Sequence, residues 1–280
     1  MKYREIKNIL PEDLRSFISD HRENEYVLLD VRLPQEYVHE HIPGARHIPL
    51  HELEGRLGEL DADRKTVFYC TSGKRSLAGA TLARDSGLLT GEIFNLDGGI
   101  SAYTGKTLPD YPKLTIFYDS GSVEDVLKKA ISLERGAHIF YMGFLDKIKD
   151  EKIKKQVGKL ADLEVAHARV IYKLGREIFI DQDFDTLFAG SEGRELEGGL
   201  DVRKWMKRIQ GDDQNKLCMY FLELALEMES MAYDMYRNLA EGNYSKDMVE
   251  CFFRLSEQEK GHMRLVANIF RECFAGNSGK

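Results

Sequence analysis

Cysteine is scarce and scattered in this chain. Cys70, Cys218, Cys251 and Cys273 include no C-x-x-C pair, which argues against a disulfide scaffold or a cysteine-rich zinc site and leaves each thiol to be judged alone. No stretch approaches the roughly 20 consecutive apolar residues that span a bilayer, so no membrane partner is expected. The opening MKYREIKNILPEDLRSF is charged throughout and lacks a signal-peptide apolar segment, which points to a cytoplasmic protein. Positive charge is not in excess either. A formal net charge of -7 argues against nucleic acid as the main partner.

What is present suits two domains. The chain has 280 residues, more than one average domain. YVLLDV (26–31), TVFYC (66–70) and EIFNLD (92–97) read as buried strands, and SLAGATLARDSG (76–87) as a helix ending at Gly87. Strands separated by helices imply a parallel α/β sheet. The stretch GKTLPDYPKLTIFYDSGS (105–122) carries two prolines and polar ends. The expected division is therefore an α/β domain over 1–108, a linker over 109–122 and an all-α domain over 123–280. Helical periodicity in the second domain predicts four long helices, about 123–148, 151–178, 213–240 and 245–273, with a short one near Val202–Ile209 in the crossover 179–212. A four-helix bundle with one long crossover has ferritin-like connectivity.

The bundle contains a repeat. AISLERGAHIFY (130–141) aligns with ALEMESMAYDMY (225–236), and LADLEVAH (160–167) with LSEQEKGH (255–262). One offset of 95 residues maps Glu134 onto Glu229, Glu164 onto Glu259, His167 onto His262 and Tyr141 onto Tyr236. In E-x-x-H the two side chains leave one helix face, because three residues turn the helix by about 300°. Apolar neighbours place these groups on or near the core stripe. Burying four carboxylates without counter-charge is prohibitively costly, whereas two divalent cations would neutralise them. Mixed carboxylate and imidazole ligands suit Fe, Mn or Zn.

Residues 123–273 resemble the rubrerythrin branch of the ferritin-like superfamily, in which each half reads roughly A-I-x-x-E-x-x-A-x-x-F-Y followed by E-x-x-H. The resemblance implies Glu134, Glu164, His167, Glu229, Glu259 and His262 as ligands of two iron ions, with Tyr141 and Tyr236 beside them. His138 follows Glu134 by four residues, but its repeat counterpart is Tyr233, which assigns it to packing. Two departures stand out. Rubrerythrins usually carry a second Glu three residues after the third-helix Glu, where this chain has Ala232. They also commonly carry a four-cysteine rubredoxin domain, which is missing here. An external electron donor is therefore expected, and a homodimer is implied by analogy.

The first domain's chemistry centres on TVFYCTSGKRSLAGATLA (66–83). A strand ends at Cys70, a short polar loop follows, and a helix begins near Ser76. Backbone N–H groups in such a loop form an anion nest, reinforced by the helix dipole, so Cys70 should be a reactive thiolate. Lys74 and Arg75 add positive charge. The same cradle would suit a persulfide or the sulfonate end of thiosulfate.

Together with LLDVRLPQEYVHEHIPGARHIPL (28–50) and LDGGISAY (96–103), this loop resembles a single-domain rhodanese over most of residues 5–104. The resemblance implies that Cys70 accepts a sulfane sulfur and passes it to a thiol acceptor, with Thr71, Ser72, Gly73, Lys74 and Arg75 as the cradle. Asp30 and Arg32 match a D-x-R signature read as structural. Related cysteine phosphatases use C-x5-R; the C-x4-R spacing here suits sulfur rather than phosphate. His39, His41, His47 and His51 fall in ordinary rhodanese sequence and are not expected to bind metal. Cys218, Cys251 and Cys273 read as core or surface thiols.

Two functions remain open on these grounds. One is a bifunctional enzyme, a sulfurtransferase whose di-iron half reduces peroxide or activates oxygen. The other is a persulfide carrier whose bundle only binds metal or mediates dimerisation. A coupled version of the first would use the persulfide as electron donor to the metal centre.

Overall fold

A computed structural model describes residues 5–117, 120, 122–196, 199–208 and 214–275. The chain forms two compact units, residues 1–112 and 113–280.

In the first unit, β1 (Ile6–Ile9), β2 (Tyr26–Asp30), β3 (Arg46–His47), β4 (Lys65–Tyr69) and β5 (Ile93–Leu96) form one parallel sheet in the order β1-β5-β4-β2-β3. Helices α1 (Pro11–Asp20), α2 (Pro34–His39), α3 (Leu50–Arg56) and α4 (Lys74–Ser86) connect the strands, and α5 (Gly99–Ala102) follows β5. Strands β2 and β4 are buried along almost their whole length, as a sheet covered on both faces requires, and Leu29 pairs with Phe68. The edge strands β1 and β3 were not anticipated. IKNI exposes its two central residues, and β3 is two residues long, so neither presents the apolar run that marks a buried strand. The central position of β4 delivers Cys70 to the carboxyl edge of the sheet, where open α/β folds place their sites. The turn after β5 lies beneath: Ile100 N–H donates to the Cys70 carbonyl (2.8 Å) and Ser101 N–H to that of Thr71 (3.1 Å).

The second unit has four long helices, α6 (Val123–Leu145), α7 (Glu151–Leu174), α10 (Gln214–Leu239) and α11 (Lys246–Ala275). The crossover between α7 and α10 holds α8 (Phe184–Gly190), a small hairpin of β6 (Glu195–Leu196) and β7 (Leu200–Asp201), and α9 (Val202–Arg208). Side chains cap the first two long helices, Ser122 on the Asp125 N–H and Asp150 on the Lys152 and Ile153 N–H groups. Helix α7 stops four residues before the expected end, because the chain turns at Gly175, whose N–H donates back to the Ile171 carbonyl. The crossover is more structured than its sequence suggests. Gly136 explains how close it comes: a Cβ there would lie 2.0 Å from the Glu195 carbonyl oxygen, so only glycine lets β6 lie on α6. The expected linker also changes character. Leu114–Phe117 form a 3-10 turn, and Phe117 is buried in the bundle core. Positions 118, 119 and 121 of that linker, Ile209 of the expected crossover helix and position 213 at the expected start of the third long helix lie outside the described residues. No helix among the described residues is long and apolar enough to cross a membrane.

Candidate functional site

Glu134 on α6, Glu164 and His167 on α7, Glu229 on α10, and Glu259 and His262 on α11 converge in the bundle interior, none more than 2% exposed. His262 Nδ1 lies 3.1 Å from Glu229, 3.3 Å from Glu164 and 3.1 Å from Glu259. His167 Nδ1 lies 3.5 Å from Glu134, 3.7 Å from Glu164 and 3.3 Å from Glu259. The two rings stack at 4.7 Å. Glu164 and Glu259 thus face both imidazoles, whereas Glu134 belongs to the His167 side and Glu229 to the His262 side. This is a two-fold arrangement with two shared and two private carboxylates.

The atoms that face inward lack ordinary partners. Both oxygens of Glu164, both of Glu259, Glu134 Oε2 and His167 Nδ1 are buried without a hydrogen bond. Burial pushes the Glu164 carboxyl up to about 7 and that of Glu229 well above its ordinary value. Burial works to lower His167 and His262, but the surrounding carboxylates outweigh it and hold both imidazoles far above their ordinary value. Without metal the four carboxylates must take up protons, as the raised Glu164 and Glu229 values indicate, or leave a net negative charge in a dry core, which costs several kcal/mol per ion. Two divalent cations remove that cost and satisfy the orphaned atoms, so these residues fit a di-metal site. Groups of three among the six residues place their donor atoms within 4.8 Å of one another.

The surroundings hold these six side chains in place. Tyr236 donates to Glu134 at 2.5 Å, and Tyr141 donates to Glu229. Each phenol therefore braces a carboxylate of the opposite repeat. An apolar cluster containing Phe140, Phe144 and Phe221 packs at one end of the site, and one containing Leu127, Met235 and Phe252 at the other. His138 is occupied elsewhere, with Nδ1 2.9 Å from the Ala161 carbonyl and the ring edge-on to Phe188. Ala232 and its repeat counterpart Ala137 are both fully buried, so the two halves match at this position as well.

In the first unit Cys70 lies at the floor of its loop, 1% exposed. Gly73 N–H donates to Sγ at 3.2 Å, and Ser76 Oγ lies 3.4 Å from Sγ and 2.7 Å from Asn95 Oδ1. Gly73 has φ 87°, in the left-handed region open to glycine, and this turns its N–H inward. Burial works to raise the Cys70 thiol, but the Ser76 hydroxyl and the N–H groups of Ser76, Ser72 and Gly73 outweigh it and lower its pKa. Cys251, buried without such donors, is pushed up to about 12. Only Cys70, of these two free thiols, has the electrostatics of a nucleophile. Cys218 is disulfide-bonded, not the thiol its sequence context suggests.

The expected cradle is divided. Lys74 is exposed at the start of α4, whereas Arg75 forms two hydrogen bonds to Glu36, 2.7 Å and 2.6 Å, and a third to Thr71 Oγ1 at 2.8 Å. Ser76, Asn95 and Glu36 were missed by sequence reading. Ser76 could have been found in the G-K-R-S run, but Glu36 lies 39 residues from Arg75 and nothing local marks it. Arg32 is clamped between Asp30 and the Glu40 carbonyl, a structural use of the D-x-R pair. His41 and His47 stack on Tyr37 at 4.1 Å and 4.5 Å; no acid–imidazole cluster among the described residues includes them.

Comparison with known proteins bears on both units. Residues 11–106 match the family described as a rhodanese-like domain, and residues 125–197 and 220–279 match rubrerythrin. A sulfurtransferase of Allochromatium vinosum is 34% identical over 104 residues, 37% of this chain and 94% of that protein. The thiosulfate sulfurtransferase GlpE of Pseudomonas syringae pv. syringae is 30% identical over 112 residues, 40% of this chain and 96% of that protein. The Bacillus subtilis protein YqhL is 42% identical over 79 residues, 28% of this chain, which spans 61% of that protein's length.

Proposed function

Since the chain belongs to the rhodanese family and joins to it a rubrerythrin domain, we propose that it is a sulfurtransferase working through a Cys70 persulfide, with a di-iron centre of peroxide-reducing function in the same chain. The observation that carries the first half is the ring of N–H and hydroxyl donors on Cys70 Sγ. The relative named a thiosulfate sulfurtransferase suggests thiosulfate as donor. The Cys70 thiolate attacks the outer sulfur of thiosulfate, a Cys–S–S bond forms, the S–SO3 bond breaks, and sulfite leaves with the bonding pair. The outer sulfur remains as a persulfide anion, held by the N–H groups that held the thiolate. An acceptor thiolate then attacks that sulfur, takes it away as its own persulfide, and returns Cys70 as thiolate. No outside oxidant or reductant is consumed.

The second half rests on the six buried, converging side chains and their orphaned atoms. His167 and Glu134 would hold one iron ion, His262 and Glu229 the other, with Glu164 and Glu259 shared between them. When bound, such a pair supplies two electrons to peroxide. The chain's own residues do the rest: Tyr236 and Tyr141 fix the private carboxylates, and the apolar clusters keep bulk water out. With Ala232 adding no further carboxylate and no rubredoxin-type cysteine set in the sequence, the reducing electrons come from a separate donor.

The test is anaerobic purification with metal analysis, followed by peroxide addition and a thiosulfate-to-cyanide transfer assay on wild type and Cys70→Ser. About two irons per chain, peroxide turnover, and thiocyanate formation lost in the variant are expected. Metal binding without peroxide turnover would instead favour the carrier reading, in which the bundle only stores metal.

A further inference from the structure

Cys70 stands at the end of a polar chain that crosses three elements. Ser76 Oγ on α4 lies 3.4 Å from Cys70 Sγ and 2.7 Å from Asn95 Oδ1 on β5. Asn95 Nδ2 donates onward to Asn8 Oδ1 on β1 at 3.2 Å, and the two asparagines are register neighbours in the sheet. That bond sets the Asn95 amide, with Nδ2 turned to β1 and Oδ1 to Ser76. Cys70, Ser76 and Asn95 are all buried, so they exchange hydrogen bonds with one another rather than with bulk water.

A serine hydroxyl has one hydrogen to donate. Both Sγ and Oδ1 lie within its reach, but it serves one at a time. The 2.7 Å contact to Asn95 has the ordinary length of an O–H···O bond. At rest the hydroxyl therefore donates to Asn95 and presents oxygen, not hydrogen, to the sulfur. A charged thiolate is the stronger acceptor and draws the hydrogen over. That turn leaves Asn95 Oδ1 in the core without its donor, which costs free energy.

We propose that Asn95 is a positioning residue that competes with Cys70 Sγ for the Ser76 hydroxyl, so that the hydroxyl turns to the sulfur only while that sulfur carries the charge. The inference rests on the reading of Cys70 as the sulfur-carrying nucleophile. In that reaction the charge moves twice. When Sγ attacks the outer sulfur of thiosulfate, its electron pair becomes the new S–S bond and sulfite leaves with the old bonding pair. The remaining negative charge then sits on the outer sulfur, and the hydroxyl returns to Asn95. When an acceptor thiolate removes that sulfur, Sγ departs with the bonding pair and the hydroxyl turns back to it. Asn95 thus keeps the thiolate less stabilised, and so more nucleophilic, than the same loop would without it.

The charges around Sγ are separate from this competition. Arg75 acts on Cys70, with the Glu36 carboxylate of α2 in bidentate contact with it. Asp30, at the end of β2, pairs with Arg32. Asp97 takes the Gly98 N–H, and Lys74 is exposed at the start of α4. The variants below leave all of these groups in place.

The experiment is the pH profile of Cys70 alkylation by iodoacetamide in the full-length chain, read on the Cys70 peptide by mass spectrometry. It compares wild type, Asn95→Leu, Ser76→Ala and the double variant. Asn95→Leu frees the hydroxyl for the sulfur and should lower the midpoint by roughly one pH unit. The rate on the alkaline plateau should fall roughly threefold, because a less basic thiolate is a weaker nucleophile. In the Ser76→Ala background the same replacement should leave the midpoint within about 0.3 of a pH unit. A midpoint that stays or rises in Asn95→Leu, or one that falls equally with and without Ser76, overturns the inference. Asn95→Val removes the same acceptor with a β-branched side chain suited to a strand, and carries the test if the leucine variant does not fold. Failure of the underlying sulfurtransferase reading would look different: no thiocyanate from wild type, whatever the alkylation profile.

Discussion

Tyr236 on α10 donates a 2.5 Å hydrogen bond to Glu134 on α6, and the residues 95 positions earlier and later, Tyr141 and Glu229, form the same pair in the opposite sense. Each helix hairpin thus completes the other's carboxylate. The first prediction concerns this cross-bracing. Tyr236→Phe leaves a buried carboxylate oxygen without its donor and should destabilise the metal-free protein by about 1–3 kcal/mol. Metal affinity should fall roughly 10–100-fold. Thermal unfolding with and without added metal reads the first effect, competition with a chelator the second. Unchanged affinity would mean that the phenol does not orient Glu134.

The two-fold geometry predicts two equivalent ions. With one His, one private Glu and two shared Glu on each side, protein loaded with iron of a single oxidation state should give one Mössbauer quadrupole doublet. His167→Ala and His262→Ala should each reduce bound iron by a similar amount. Two doublets of equal area would show that the halves differ where the side chains look alike.

Cys70 should react at a lower pH than an ordinary thiol. Its folded pKa is lowered, so alkylation by iodoacetamide should persist to lower pH than for an ordinary thiol and be lost as pH falls through that lowered value. Ser76→Ala removes one of the donors responsible and should move the midpoint upward. A midpoint that moved down, or not at all, would exclude the hydroxyl as a source of the shift.

The crossover can be tested at Gly136. A methyl group there would meet the Glu195 carbonyl at 2.0 Å. Gly136→Ala should therefore displace β6 and cost about 1–3 kcal/mol, visible as a lower unfolding midpoint of the bundle.

What the sequence determined alone was whatever depends on local spacing. Each E-x-x-H pair describes one face of one helix, and the 95-residue offset repeats that pattern in a second hairpin, so helical geometry carries them directly into space. Cys70 at the end of an apolar strand was legible for the same reason. The tertiary structure decided which faces meet. It paired Tyr236 with Glu134 across 102 positions and Arg75 with Glu36 across 39, and it folded the crossover onto Gly136. It also added β1 and β3 to the sheet edges, where short strands need no apolar run of their own. Those outcomes depend on how helices and strands pack, and packing joins residues whose separation along the chain leaves no periodic mark.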